Sequence, residues 1–257
     1  MRHARAAAVI AAATMVTACT EPPPPAPFVE SLTLHAEGDA PLQELRLTPE
    51  PGSTISVRCT FTMQNRTLDD PDPIVFTTMH HTPKGTTTSG LLLESVDTGY
   101  DSGADPDNDD DENVFEMNAL VRTLSGAASA EANESRALSA LTQNPEHWLR
   151  LPDVPVGIGT EWTVVREVNT AEQTSTATVR FTLVGFTPET VTLDVVTETS
   201  HTFVLPDQER THDSSAARSG RLVYDLARGV PISGETAGTM TFFATPVNTT
   251  NTYTLAN

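Results

Sequence analysis

The clearest pattern in the chain is a period of two across residues 55–63. Ile55, Val57, Cys59, Phe61 and Met63 alternate with Ser56, Arg58, Thr60 and Thr62. Successive strand side chains point to opposite faces, so the run predicts a half-buried strand with Cys59 on the apolar side. There the thiol is a small hydrophobe, not a nucleophile. The period recurs at Ala177, Val179, Phe181 and Leu183, and again at Val191, Leu193 and Val195 with a continuation toward Phe203 and Leu205. Thr187-Pro188-Glu189-Thr190 joins these two with proline where type I turns take it. Shorter apolar patterns predict strands at Leu32 and Leu34, at Leu45 and Leu47, and at 74–79, 91–96, 162–168, 230–233, 240–243 and 253–255. Leu222 and Tyr224 lead into a loop that Asp225 opens and Gly229 closes, matching a type I turn followed by a left-handed glycine bulge. Threonine fills many intervening positions, as solvent-facing strand positions favour.

The middle of the chain changes period. Met117, Leu120, Val121 and Leu124 fall at i, i+3, i+4 and i+7, and Ala137, Leu138 and Leu141 continue beyond Gly126. This predicts one or two helices over 114–142, ended at Asn144-Pro145 because the residue before proline avoids the α region. The expected fold class is therefore mainly β (α+β). About ten antiparallel strands form one large curved sheet or half-barrel, since sheets this wide curl or split. Trp148 and Trp162 flank a proline-rich turn. They read as core anchors, with sugar or headgroup binding as the alternative.

Charge narrows the function classes. The formal net charge is −19. Nucleic acid is excluded as a partner, because binding it needs a positive surface to displace counterions. Two cysteines bound the redox chemistry. If Cys19 is modified, Cys59 has no partner for an intramolecular disulfide, and stability must come from the core.

The first residues carry their own signal. Arg2 and Arg5 precede an apolar run over 6–16, interrupted only by Thr14 and too short to span a bilayer, which takes roughly 20 residues. Val16-Thr17-Ala18-Cys19 follows directly. This order of an aliphatic residue, two small residues and cysteine resembles the lipobox of bacterial lipoproteins. The resemblance implies cleavage between Ala18 and Cys19, a diacylglyceryl group on the Cys19 thiol and acylation of the new amino terminus. Several chains matter physically, since each buried CH₂ adds about 0.8 kcal/mol and a single chain holds only marginally. The alternative is an ordinary cleaved signal with a coincident cysteine. Thr20 is not the aspartate that retains such proteins at the inner membrane, so the resemblance implies the outer membrane where the host has one. Pro22-Pro23-Pro24-Pro25-Ala26-Pro27 then favours polyproline II, a stiff spacer. The division that results is a signal peptide over 1–18, an anchor and spacer over 19–27, and one β-rich domain over 28–257.

Two weaker resemblances concern that domain. Strands, helix, strands is similar in order to half-barrel lipoproteins that hold acyl chains between a concave sheet and covering helices. The run Ser219-Gly220-Arg221-Leu222-Val223-Tyr224-Asp225 looks like hairpins of exported β-meander lipoproteins of unknown function. Neither implies catalytic residues.

Candidate chemistry is sparse. The acidic stretch 97–113 has no basic residue. Asp105, Asp107, Asp109, Asp111 and Glu116 fall at positions 1, 3, 5, 7 and 12 of an EF-hand-like loop, and calcium takes six to eight such oxygens. Asp110 stands where the bend wants glycine, and Glu112 where a small aliphatic packs. The competing reading is a solvated loop held open by self-repulsion. His80 and His81 are neighbours in a strand and point apart. His35, His147, His201 and His212 lack metal-ligand spacing. No nucleophile elbow, phosphate loop or H-E-x-x-H occurs. The expectation is a non-enzymatic, lipid-anchored protein of the cell envelope, with a structural or binding role toward a protein partner. The alternatives are a carrier of a hydrophobic ligand, a calcium-stabilised surface module and, last, a hydrolase assembled from dispersed residues. No cofactor is expected apart from calcium in the third case.

Overall fold

The computed structural model describes residues 28–48, 50–64, 74–87, 90–101, 142, 144–170, 173–205, 210–242 and 245–256. It is mainly β. In chain order the strands are β1 (Phe28–Ala36), β2 (Asp39–Gln43), β3 (Ile55–Gln64), β4 (Ile74–Thr87), β5 (Gly90–Asp101), β6 (Val156–Ile158), β7 (Glu161–Asn169), β8 (Gln173–Phe186), β9 (Thr190–Leu205), β10 (Arg210–Asp225), β11 (Val230–Phe242) and β12 (Thr245–Leu255). Ten of them form one antiparallel sheet in the order β1-β7-β8-β9-β10-β11-β12-β3-β4-β5, while β2 and β6 pair separately. Strands β7 to β12 are a meander, each hydrogen-bonded to the next. The N-terminal strands attach at its two ends, β1 against β7 and β3 against β12.

The predicted alternation selects the buried face. On β7 and β8, Trp162, Val164, Phe181, Val179 and Leu183 are buried while Thr163, Arg180 and Thr182 are not. Cys59 is buried on β3, and Trp148 and Trp162 are both buried. The turn after β8 closes with Thr187 N–H on Thr190 C=O at 2.8 Å, while Thr190 N–H donates to Thr187 Oγ1 at 3.0 Å. The 225–229 loop closes with Gly229 N–H on Asp225 C=O at 2.8 Å, and Gly229 has a φ of 65°. That left-handed conformation is why glycine stands there.

One expectation needs correction, and another falls outside the described residues. Among the described residues there is no α-helix beyond the single position Thr142, and the only other helical turn is the 3₁₀ turn Pro145–His147. The one or two helices expected over 114–142 are not among the described residues, and all of that segment except Thr142 lies outside them. Leu45 and Leu47 are not in a strand: β2 ends at Gln43, and both leucines pack on the core from a loop whose Thr48 N–H bonds Leu226 C=O. The proline-rich turn before Trp162 includes the short β6. Among the described residues no helix is long and apolar enough to cross a membrane.

Curvature follows from two contacts of one short turn. β7 and β4 are seven strand steps apart in the sheet. Flat, that separation is roughly 34 Å at about 4.8 Å per step. Yet Arg166 of β7 donates to Pro145 C=O at 2.7 Å, and His81 of β4 lies 3.2 Å from His147. Three residues of 3₁₀ turn rise only about 6 Å. The sheet must therefore bend around this turn to reach both its ends. Gly220 and Gly238 sit on the concave face of β10 and β11. A Cβ at Gly220 would lie 1.9 Å from Glu235 O, and one at Gly238 1.9 Å from Ala217 O. Strand glycines are expected where backbones approach this closely.

Candidate functional site

The concave face has two halves with different chemistry. At one end Trp162, Phe181, Leu183, Leu193, Leu222, Val57 and Leu149 form an apolar core, with Trp162 stacked on Phe181 at 5.3 Å. At the other end the inward positions are Gln173, Ser175, Thr197, Thr199, His201, Arg218, Thr236, Thr249 and Asn251, all buried. Cross-strand register explains how they meet. Thr197 pairs with Arg218, and Thr236 pairs with Asn251, so these residues form adjacent rows across β9 to β12.

Segment 144–152 is laid over this face. Its Glu146 is fully buried, and both carboxylate oxygens lie 3.2 Å from Arg218 Nη2. Asn251 Nδ2 donates to the same carboxylate at 3.0 Å and Thr236 Oγ1 at 3.4 Å. The backbone is held as firmly. Tyr224 Oη donates to Glu146 C=O at 2.6 Å, Arg166 donates to Pro145 C=O and Trp148 C=O at 2.7 Å each, and Leu149 N–H donates to Gly229 C=O. Arg166 is itself paired through Nε with Glu30 of β1 at 2.6 Å. A buried charge is tolerated only when paired and hydrogen-bonded, and here each has such partners. Burial, with the nearby Glu146 charge, pushes the Tyr224 hydroxyl well above its ordinary value.

Two histidine contacts bear on possible chemistry. His81 and His147 have Nε2 atoms 3.2 Å apart, beside Trp148 and Tyr253. Burial pushes His81 down to about 3, so the ring is neutral at physiological pH. Among the described residues no group of three or more metal-ligating side chains converges. Second, His201 Nδ1 lies 3.0 Å from Ser175 Oγ, a cross-strand pair that Gln173 also joins. This is a serine–histidine contact with no carboxylate hydrogen-bonded to the ring among the described residues. Burial and the charge of Arg218 lower His201 to about 4, which makes it a poor general base near neutrality. Both groups are buried under the sheet's own packing. Ser175 and His201 hydrogen-bond one another across the strands.

The outward face carries a shallow depression of about 350 Å³ at His35, Glu161, Thr163, Arg180, Val196 and Glu198. His35 Nε2 bonds Thr163 Oγ1 at 2.8 Å on its rim. His80 points away from His81, as neighbours in a strand must, and bonds Ser56 at 2.7 Å.

Of the residues singled out in the sequence, Ala18, Cys19, Asp105, Asp107, Asp109, Asp111 and Glu116 lie outside the described residues. The Glu146 network was not foreseen. Its signal was present: stepping back by two from Tyr224 and Leu222 through Gly220 places Arg218 on the inward face, where an arginine requires a buried acid. No family model matches the chain, and neither a curated protein nor a solved structure matches it.

Proposed function

We propose that this is an exported bacterial lipoprotein, acylated at Cys19 after cleavage behind Ala18, whose half-barrel body serves a structural or binding role at the cell envelope without catalysis. The observation that carries the reading is the order Arg2 and Arg5, apolar core, Val16-Thr17-Ala18-Cys19, then a proline spacer. The body supports it: β1 begins at Phe28, one residue after the spacer, and lies at the edge of the sheet, so the tether leads into the rim of the fold and not through its core. The non-enzymatic part rests on the burial of His81 and His201, which lowers the basicity of both rings. In a host with two membranes, Thr20 favours the outer one.

The carrier alternative is less well supported. An acyl chain needs a continuous apolar lining. The described concave face instead places Glu146, Arg166 and Arg218 against segment 144–152 and fills its other half with Trp162 and Phe181. The calcium-stabilised module stands on the aspartate spacing alone.

Cys19→Ser tests the anchor. The expected result is loss of radioactive fatty-acid labelling and release of the chain into the soluble fraction. Labelling that persists in this variant overturns the proposal. Melting curves in calcium and in chelator separate the calcium reading, which identical curves remove.

A further inference from the structure

The ten-stranded sheet ends in two strands with only one described neighbour each, β1 and β5. Natural proteins protect such edges with lysine, proline, charge or shortness, because free N–H and C=O groups recruit another strand. β1 carries no lysine or proline and is not short, and its one irregularity is a bulge near its end, between Leu34 and Ala36. It is nine residues long, Phe-Val-Glu-Ser-Leu-Thr-Leu-His-Ala, and its single charge, Glu30, faces inward onto Arg166. Val29, Ser31, Thr33 and His35 lie on the exposed face.

We infer that β1 pairs with β1 of a second copy of this chain, joining two sheets edge to edge about a twofold axis. Charge selects this occupant. An antiparallel register centred on Leu32 pairs all nine residues, sets Ser31 against Thr33 of the other copy, and places Glu30 opposite Leu34. The two Glu30 positions are then four residues apart along the strand, roughly 13 Å, and each has its own arginine. The equivalent full pairing of β5 with itself sets Glu94 opposite Asp97 twice, a like-charge opposition that disfavours the pair. β1 on β5 of another copy does not close, and would build strings of molecules. The β1 pair is the closed solution.

The anchor, if the proposed function holds, fits this geometry. In the pair the two Phe28 positions are eight residues apart along the strand, about 27 Å. Nine residues from Cys19 to Phe28 reach about 28 Å as polyproline II. Both tethers can therefore meet one membrane surface, and sharing that surface raises the effective concentration of the two copies.

The test uses the exported full-length Cys19→Ser chain, so that pairing is read without the anchor and membrane association is scored separately. One preparation carries Ser31→Cys, another Thr33→Cys. Mixed under mild oxidation they form a disulfide-linked dimer, and each alone forms far less, because the register opposes 31 to 33. Scattering or sedimentation of the Cys19→Ser parent gives twice the mass of one chain at about 100 µM. Ser31→Lys with Thr33→Lys keeps the melting curve and raises the dissociation constant at least about tenfold. A parent that stays monomeric, equal cross-linking in mixed and single preparations, or masses that climb past two chains each overturn the β1 pairing. None of these results bears on labelling at Cys19.

Discussion

Replacing Glu146 with alanine should cost this protein a large share of its stability. The carboxylate is fully buried, 3.2 Å from Arg218 Nη2 and 3.0 Å from Asn251 Nδ2. Removing one member of a buried pair leaves the other charge without its counter-ion and costs about 3–5 kcal/mol. Asn251 also loses its acceptor inside the fold, a further penalty of about 1–3 kcal/mol that overlaps the first. The lower figure alone is a substantial part of the roughly 5–15 kcal/mol that holds a domain together. With a urea m-value of about 3 kcal/mol/M, a loss of 3–5 kcal/mol lowers the unfolding midpoint by about 1–1.7 M. Glu146→Gln keeps an acceptor for Asn251 and should fall between the parent and the alanine variant. Glu146→Leu combined with Arg218→Met removes both charges and should recover most of the loss, because a packed apolar pair is often as stable as a buried ionic one. Urea unfolding followed by tryptophan fluorescence measures all four. A midpoint drop below about 0.3 M in Glu146→Ala, or a double variant no better than the single, would refute the network as described.

Three further outcomes follow from the same packing. His81 and His201 are held near 3 and 4 in the fold, against an ordinary value of about 6.5 in the unfolded chain. The unfolded state thus binds more protons below about pH 6.5, and their contribution to stability is full above that value and drains away as pH falls toward 4. Urea midpoints across pH 7 to 4 should show this slope, and His201→Gln should reduce it by up to one proton. Trp162→Ala removes a fully buried ring stacked on Phe181, whose Nε1 donates to Arg150 C=O at 2.8 Å, and should cost about 3–5 kcal/mol by the same assay. Gly220→Ala brings a methyl within 1.9 Å of the Glu235 carbonyl, and the backbone shift this forces should cost about 1–3 kcal/mol, visible as a lower thermal midpoint.

Strands whose inward positions are apolar were legible in the sequence. Val57 and Cys59, Val179 and Phe181, and Leu193 and Val195 announce themselves by alternation with polar neighbours, and the turns at Pro188 and Gly229 fix where each hairpin reverses. The polar stretches of the same strands were less legible. From Thr197 to His201 both faces are polar, so alternation lapses until Phe203 and Leu205 resume it. Arg218 and Asn251 were not singled out, because their partner, Glu146, is 72 and 105 residues away. Leu45 and Leu47 mimic a strand, yet their backbone bonds to the loop after β10. Long-range pairing of β1 with β7 and of β3 with β12 has no local signature at all.

Those two pairings have a consequence for biogenesis. Among the described strands β3 joins the sheet only through β12, and β4 and β5 join only through β3. β1 can enter the sheet once β7 is made, but β3 to β5 have no completed sheet to enter until β12 follows. Pairing between segments this far apart in sequence is intrinsically slow. Truncation ahead of Thr245 would strand three N-terminal segments with nothing to zip onto.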